Sequence, residues 1–353
     1  MYSRKVQKVG GGTFTVSLPQ EWVREHGIDQ GSILNIRQHS DTRLVIEPRA
    51  YGADSPYEVT VEADGGAATT ERLLRAAYSA GADRLTLVGS SPLTDGQRRA
   101  LETTATTLAG AATLSDSESG ATVRILLDPE ELSVRQLVRQ LGFTALSMHR
   151  EATTALTADD STDVPGRDRE ADRLFATVDR SFQRSLMHLD EVDAIGTPRP
   201  ELFDLWTTAR ALERVADCAE RIAAIAVGNH FPARDPIEGV LHEDDFERVA
   251  RLSREVVDTA LGSVLEDADV AHEAFEIYDA VYADVRDLDR TLSRAPAADA
   301  RHARVLDHIR RTAEHGTVIA ECSLGASMRQ MGAQTQTDDS DGPESLDRSE
   351  PRR

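Results

Sequence analysis

Lysine is almost missing from this chain. Of 40 basic residues only Lys5 and Lys8 are lysines, and the other 38 are arginines. Cysteine is as scarce: Cys218 and Cys322 are the only two in 353 residues. Neither belongs to a C-x-x-C pair, which excludes a disulfide scaffold and a cysteine-based zinc ribbon and leaves reduced structural thiols as the expectation. Aromatic residues make up 5%, so Trp22 and Trp206, which sit in amphipathic patterns, read as packing residues. No stretch of about 18 apolar residues occurs, and the start, MYSRKVQKVGGG, has no 7–15-residue apolar run. A soluble, cytoplasmic protein without membrane insertion is expected. Catalytic signatures are missing too. Ser90, Ser91 and Ser147 lack a G-x-S-x-G context, the ten histidines form no H-E-x-x-H pattern, and no phosphate-cradling glycine motif occurs. A ferritin-like di-iron oxidase would need Glu-x-x-His on two helices, and the chain has none. His188, His272, His308 and His315 read as polar-edge or capping residues. The sequence therefore does not read as an enzyme.

Negative charge is abundant. With 61 acidic residues the formal net charge is −21. An acidic, lysine-poor, Ala- and Asp-rich composition points to an extreme halophile, in which surface carboxylate keeps the protein soluble at high salt. The length is a soft prior for two or three domains.

Residues 1–50 stand apart. Seven Arg/Lys against five Asp/Glu give this stretch a net charge of +2, and the remainder carries −23. Val6 to Val9, a Gly10-Gly11-Gly12 turn and Thr13 to Leu18 read as a hairpin with Phe14, Val16 and Leu18 on one face. Pro19 opens a short helix, QEWVREH, and Gly27 closes it. Ile33 to Arg37 and Leu44 to Ile46 then pair across the HSDT turn. Residues 55–130 alternate strand and helix: YEVTVEA, TTERLLRAAYSAG, RLTLVG, TDGQRRALETTATTLA and ATVRILL predict a small α/β unit. Its turns Gly65-Gly66 and Gly89-Ser90-Ser91 could hold an anion at a helix N-terminus, but a structural role is the simpler reading. Residues 131–331 read as wholly helical. One helix runs from about Pro129 to Leu156, a second contains Asp168 and ends near Ile195–Pro200, and a third reaches Asn229. After the break HFPARDPIEG come Phe246 to Leu265, Ala268 to Leu292 and Ala300 to Met328. From Gly332 to Arg353 the chain is polar and expected to be disordered.

Two rows of carboxylates border apolar stripes in the helical part. In LERVADCAERIA, Glu213, Asp217 and Glu220 share a face beside Leu212, Val215, Ala216, Ala219, Ile222 and Ala223. In DREADRLFATVDR, Asp168, Asp172 and Asp179 share another. Like charges at i,i+4 cost a few tenths of a kcal/mol in an isolated helix, and a cation is one way to offset that cost. A solvated acidic face is the other reading.

The pattern D-x-x-x-D on one helix with E-R-x-x-D-x-x-x-x-I-A on another resembles the PhoU family of phosphate-signalling regulators. Ala216 and Arg221 depart from it, where the family usually has Gly and Asn. The resemblance implies repeated three-helix bundles whose acidic helices can hold metal, with Asp168, Asp172, Glu213 and Asp217 as the candidate ligands. Hard oxygen donors suit iron, Mn or Mg. In the second repeat Arg310 replaces the acid corresponding to Glu213, Glu314 keeps the one corresponding to Asp217, and Asp269 and Glu273 echo the Asp168–Asp172 pair. Residues 1–50, RKVQKVGGGTFTVSLPQEW…GIDQGSILNI…TRLVIEP, resemble the SpoVT–AbrB (MazE-like) swapped-hairpin domain. That resemblance implies a homodimer and DNA contacts from Arg4, Lys5, Lys8 and Arg24.

The expected architecture is multidomain: half of a swapped-hairpin β-barrel (1–50), a small α/β unit (55–130), an all-α PhoU-like pair of three-helix bundles (131–331) and a tail (332–353). The expected function is a phosphate-homeostasis regulator, probing phosphate through the bundles and binding promoters through the barrel. The alternative is a PhoU-type interaction protein that does not bind DNA and acts on the phosphate ABC transporter ATPase.

Overall fold

The computed structural model of the protein describes residues 3–40, 43–48, 56–89, 91–117, 120–156, 164–227, 241–266, 270–296, 298 and 300–338. The chain divides into two compact units, Met1–Tyr57 and Glu58–Arg353.

The first unit contains β1 (Gln7–Val9), β2 (Thr13–Thr15), α1 (Gln20–Glu25), β3 (Leu34–Ser40) and β4 (Arg43–Pro48). β1 pairs antiparallel with β2, Lys8 opposite Phe14, and β3 pairs antiparallel with β4, Ile36 opposite Ile46. Pro19 N-caps α1 in extended conformation, and the chain leaves the helix through His26 and Gly27, as the sequence predicts. β3 runs on to Ser40 with a bulge between Gln38 and Ser40, three residues past the expected end at Arg37. Positions 41 and 42 of the expected turn lie outside the described residues. The two hairpins form separate two-stranded sheets. None of residues 3–36, 43–48, 56 and 57 is buried. Phe14, Ile36 and Leu44 are 66%, 63% and 68% exposed, and Val6, Val9, Val16 and Ile33 are exposed as well. A pair of two-stranded ribbons with its apolar side chains in water is marginal by itself.

The second unit begins with β5 (Glu58–Glu62), α2 (Ala67–Ser79), β6 (Arg84–Val88), α3 (Asp95–Thr107), β7 (Ala111–Ser117) and β8 (Gly120–Ile125). The sheet order is β5-β6-β8-β7, with β5 and β6 parallel and the other pairs antiparallel. Strand β7 is a correction to the sequence reading, which has no strand there. Its sequence, AATLSDS, is short on the branched and aromatic residues that mark strands; an edge position beside β8 supplies the pairing instead. α3 starts at a capping box in which Gln97 N donates to Thr94 Oγ1 at 3.3 Å and Thr94 N donates to Gln97 Oε1 at 2.8 Å. Leu74, Tyr78, Leu85, Leu87, Leu101 and Val123 fill the core.

A single 3₁₀ turn at Pro129–Glu131 precedes the bundles, so the first long helix, α4 (Val134–Thr154), begins later than expected, at the Ser133 N-cap. The helix expected to run to about Ile195 is two helices, α5 (Val164–Met187) and α6 (Leu189–Ile195), separated at His188. Gly196 closes α6 at φ 68°, a left-handed cap that glycine adopts without steric penalty. α7 (Arg199–Val227), α8 (Glu243–Leu265), α9 (Ala271–Leu292) and α10 (Ala300–Asp338) follow. α4, α5 and α7 pack on one another, as do α8, α9 and α10, while α4 meets α8 and α7 meets α10. One continuous apolar core runs through both bundles. The apolar stripe read from LERVADCAERIA is inside it, with Leu212, Val215, Ala219 and Ile222 fully buried. α10 corrects the expected boundary at Gly332: the segment MGAQTQTD has no proline and several good helix formers, and the helix runs through it to Asp338. The rest of the expected tail, 339–353, the HFPARDPIEG break and Asp269 lie outside the described residues. No helix is long and apolar enough to cross a membrane among the described residues.

Candidate functional site

α5 and α7 run antiparallel, and their contacts follow that order along the seam. Phe182 stacks on Trp206 with ring centroids 5.1 Å apart, and Trp206 Nε1 donates to Asp179 at 2.8 Å. Further along, Asp172 lies in the field of Asp217, and Asp168 in the fields of Glu220 and Asp217. The structure thus brings Asp168, Asp172, Glu213 and Asp217 to one seam, with Glu220 at its end. Asp179 is taken by Trp206 instead.

Half-burial and like charge act together on these carboxyls. Desolvation, then Asp217, pushes Glu213 up to about 7. Desolvation, then Glu220, Asp172 and Asp217, pushes Asp168 up to about 6. Asp172 is raised by burial, an effect opposed by Arg75 of α2. Arginine supplies the counter-charge. Arg214 reaches Asp217 at 2.9 Å and Glu213 at 3.4 Å, and Arg221 reaches Asp217 at 3.6 Å. A metal would need three or more of these side chains turned onto one point, and no such group of His, Cys, Asp or Glu occurs among the described residues. The four expected ligands share a seam, and guanidinium groups lie against the two carboxylates of α7. In the second bundle Arg310 pairs with Asp307 at 2.6 Å and with Glu314, so the acid kept at Glu314 is already neutralised. Cys218 and Cys322 are not disulfide-bonded, and burial pushes both thiols up to about 11.

In the first unit, Arg4, Lys5, Lys8 and Arg24 are all exposed. Lys8 projects from β1, Arg4 and Lys5 precede that strand, and Arg24 lies in the last turn of α1.

Sequence reasoning missed the arginines that organise the second unit: Arg180 and Arg184 on α5, and Arg254 on α8. A signal for the last was available, since Arg248, Arg251 and Arg254 repeat at i,i+3 as the acidic rows do at i,i+4.

An up-down-up bundle with an acidic seam between its second and third long helices, and a strand-hairpin unit with exposed basic residues, define a protein that joins a PhoU-type bundle to a small MazE-type module. Residues 138–226 match the PhoU domain, and residues 7–54 match the family described as antidote-toxin recognition MazE, bacterial antitoxin. The two matches support a protein in which a PhoU domain follows an N-terminal MazE-like domain. No curated protein matches it. The PhoU domain suggests regulation of phosphate homeostasis, and the MazE-like domain suggests nucleic-acid binding and dimerisation. The PhoU match covers the first bundle, whose acidic rows are intact, and leaves out the second, where Arg310 stands.

Proposed function

We propose that this protein is a cytoplasmic, non-enzymatic transcriptional regulator of phosphate homeostasis, with a homodimeric MazE-like domain that binds promoters and PhoU bundles that carry the signal. The observation that carries this reading is the condition of the first unit. Seven large apolar side chains lie exposed around two separate hairpins, a state that a second interleaved copy would relieve. Arg4, Lys5, Lys8 and Arg24 supply positive charge on a chain whose net charge is −21. Phosphate-backbone contacts weaken steeply with salt, so at molar salt base-edge contacts and buried apolar area would carry a larger share of binding.

Mapping chromatin occupancy at high and low phosphate tests the reading. Occupied promoters that change with phosphate, and lose occupancy in an Arg4→Ala/Lys8→Ala variant, support it. Co-purification with the phosphate transporter ATPase without DNA binding would replace it with the interaction-protein alternative.

A further inference from the structure

Many arginines of this acidic chain pair with carboxylates, among them Arg135, Arg180, Arg184 and Arg214. Two that do not lie where α4 crosses α8. Arg251 and Arg254 line two clefts there, of about 370 and 680 Å³, and Arg150 lines the larger one. Arg251 pairs with Glu255 at 2.8 Å. Among the described residues no carboxylate forms an ion pair with Arg150 or Arg254.

Arg254 is held from behind by neutral groups instead. Its Nη1 donates to Thr153 Oγ1 at 3.1 Å and to His149 Nδ1 at 3.3 Å. A guanidinium only donates, so His149 Nδ1 accepts and the ring proton sits on Nε2. That Nε2 is buried with no hydrogen-bond partner among the described residues. His149 is fully buried, and burial, then the charge of Arg254, holds its pKa down to about 3. The ring therefore stays a neutral acceptor and never adds a charge of its own beside the guanidinium. The fold leaves a buried N–H unsatisfied to keep that arrangement, which is a cost without an evident structural return.

The arginines also work against one another. Burial, then Arg150 and Arg251, pulls Arg254 down to about 10, and only Glu247 opposes them. Three guanidinium groups stand close enough to repel, on a rigid two-helix wall, beside a cleft large enough for a small ligand. An oxyanion between them would replace the repulsion with charge-assisted, bidentate hydrogen bonds.

We propose that the α4–α8 cleft binds a phosphoryl oxyanion through Arg150, Arg251 and Arg254. The acids around the cleft, Asp244, Glu247, Glu255, Asp258 and Glu266, together with the overall negative charge, disfavour a long polyanion. The same phosphoryl chemistry is presented by inorganic phosphate and by a nucleotide, and the exposed ring of Phe143 on the larger cleft's wall offers a surface for a base. The site is built from residues of the second unit and does not depend on DNA binding.

Isothermal titration of the full-length chain at fixed ionic strength, with inorganic phosphate and separately with ATP, tests this. One saturable site per chain is expected for at least one of them. Arg150→Gln, an exposed position, and Arg254→Gln should each weaken it about tenfold or more. Phosphate that binds and competes with ATP identifies the free ion as sufficient; ATP binding without phosphate binding identifies a nucleotide phosphoryl group. The Arg4→Ala/Lys8→Ala chain should keep the site whether or not it still binds DNA, which separates this proposal from the promoter reading. Failure of both ligands to bind, or wild-type affinity in Arg150→Gln and Arg254→Gln alike, overturns it.

Discussion

Arg180 of α5, 3% exposed, donates through Nη2 to Asp83 Oδ1 at 3.1 Å, and this pair fastens the α/β layer to the first helical bundle. Arg180 Nη1 also donates to the carbonyls of Tyr78 and Ala82, at 3.1 and 2.8 Å, and its guanidinium lies over the Tyr78 ring. Arg184 joins the same carboxylate at 2.7 Å, reaches the Gly81 carbonyl at 2.9 Å and pairs with buried Glu191. A Cβ at Gly81 would come within 2.6 Å of the Arg184 side chain, so the turn leaving α2 is shaped to admit that arginine.

Truncating Arg180 therefore strips hydrogen bonds from two buried carbonyls and a half-buried carboxylate at once. Arg180→Ala should cost about 3–5 kcal/mol, measured by chemical denaturation. Arg180→Met, which keeps the aliphatic packing, should recover only a minority of the loss. A cost below about 1 kcal/mol would mean that the pair behaves like a surface ion pair.

How much of this was legible in the sequence depends on the range of the contact. The apolar stripe of α7 was readable because Leu212, Val215, Ala219 and Ile222 repeat at helical spacing, and all four are fully buried. The opposition of the α5 and α7 acids followed from two helices joined by a short connection. Arg180 was not readable. A charged residue inside an amphipathic helix reads as solvated, and its partners, Tyr78, Ala82 and Asp83, lie about a hundred positions away. The same distance hid the site at Arg254, which meets His149 and Thr153 across two bundles. Strand β7 was missed for a different reason: its residues pair well only because β8 already stands beside them.

The raised carboxyls of the seam give the stability a definite pH dependence. Glu213 and Asp168 hold protons in the folded state to about 7 and about 6, above their unfolded values. Between about pH 4 and pH 7 these two carboxyls bind more protons in the folded chain than in the unfolded one, so their contribution to stability falls as pH rises through this window, while the depressed His149 contributes with the opposite sign. Glu213→Gln removes the larger contribution. It should raise stability at pH 8 by about 1 kcal/mol after allowance for solvent screening, have little effect at pH 4.5, and gain on wild type progressively between. Melting curves across that range check the sign, and a variant that stays parallel to wild type would contradict it.

Because Arg214 and Arg221 already pair with Asp217, and Arg214 lies against Glu213, divalent metal should not be what holds α5 to α7. Chelation of the purified protein should leave its melting temperature unchanged, and Glu213→Gln/Asp217→Asn should leave its metal content unchanged. A drop in metal content in the double variant, by elemental analysis, would mean that the seam closes onto a cation and releases the arginines.

Two glycines of the second bundle should respond oppositely to alanine. A Cβ at Gly316 in α10 would lie 2.7 Å from Val256 Cγ1 and 3.0 Å from the Val257 backbone nitrogen, and a backbone atom cannot swing aside. Gly316→Ala should destabilise by about 1–3 kcal/mol despite its better helix propensity. Nothing lies within 4 Å of a Cβ at Gly262 in α8, so Gly262→Ala should stabilise by about 0.5–1 kcal/mol. Denaturation midpoints of the two variants, moving in opposite directions, check this pair.

The exposed apolar face of the first unit makes the last prediction. Phe14 and Val16 on the first hairpin side, and Ile33, Ile36 and Leu44 on the second, stand more than half exposed in the single chain. Burying a large apolar side chain contributes about 1.5–3 kcal/mol, and an interleaved pair of chains is the assembly that would bury all of them together. Phe14→Asp replaces such a group with a charge, and each dimer holds two copies. The dimer should therefore dissociate at concentrations about a hundredfold higher than wild type. Sedimentation of the full-length chain reads this directly. Wild-type protein that is monomeric, or a Phe14→Asp dimer that persists at wild-type dilution, would remove the first unit as the dimer interface and with it the structural basis for promoter binding by a paired domain.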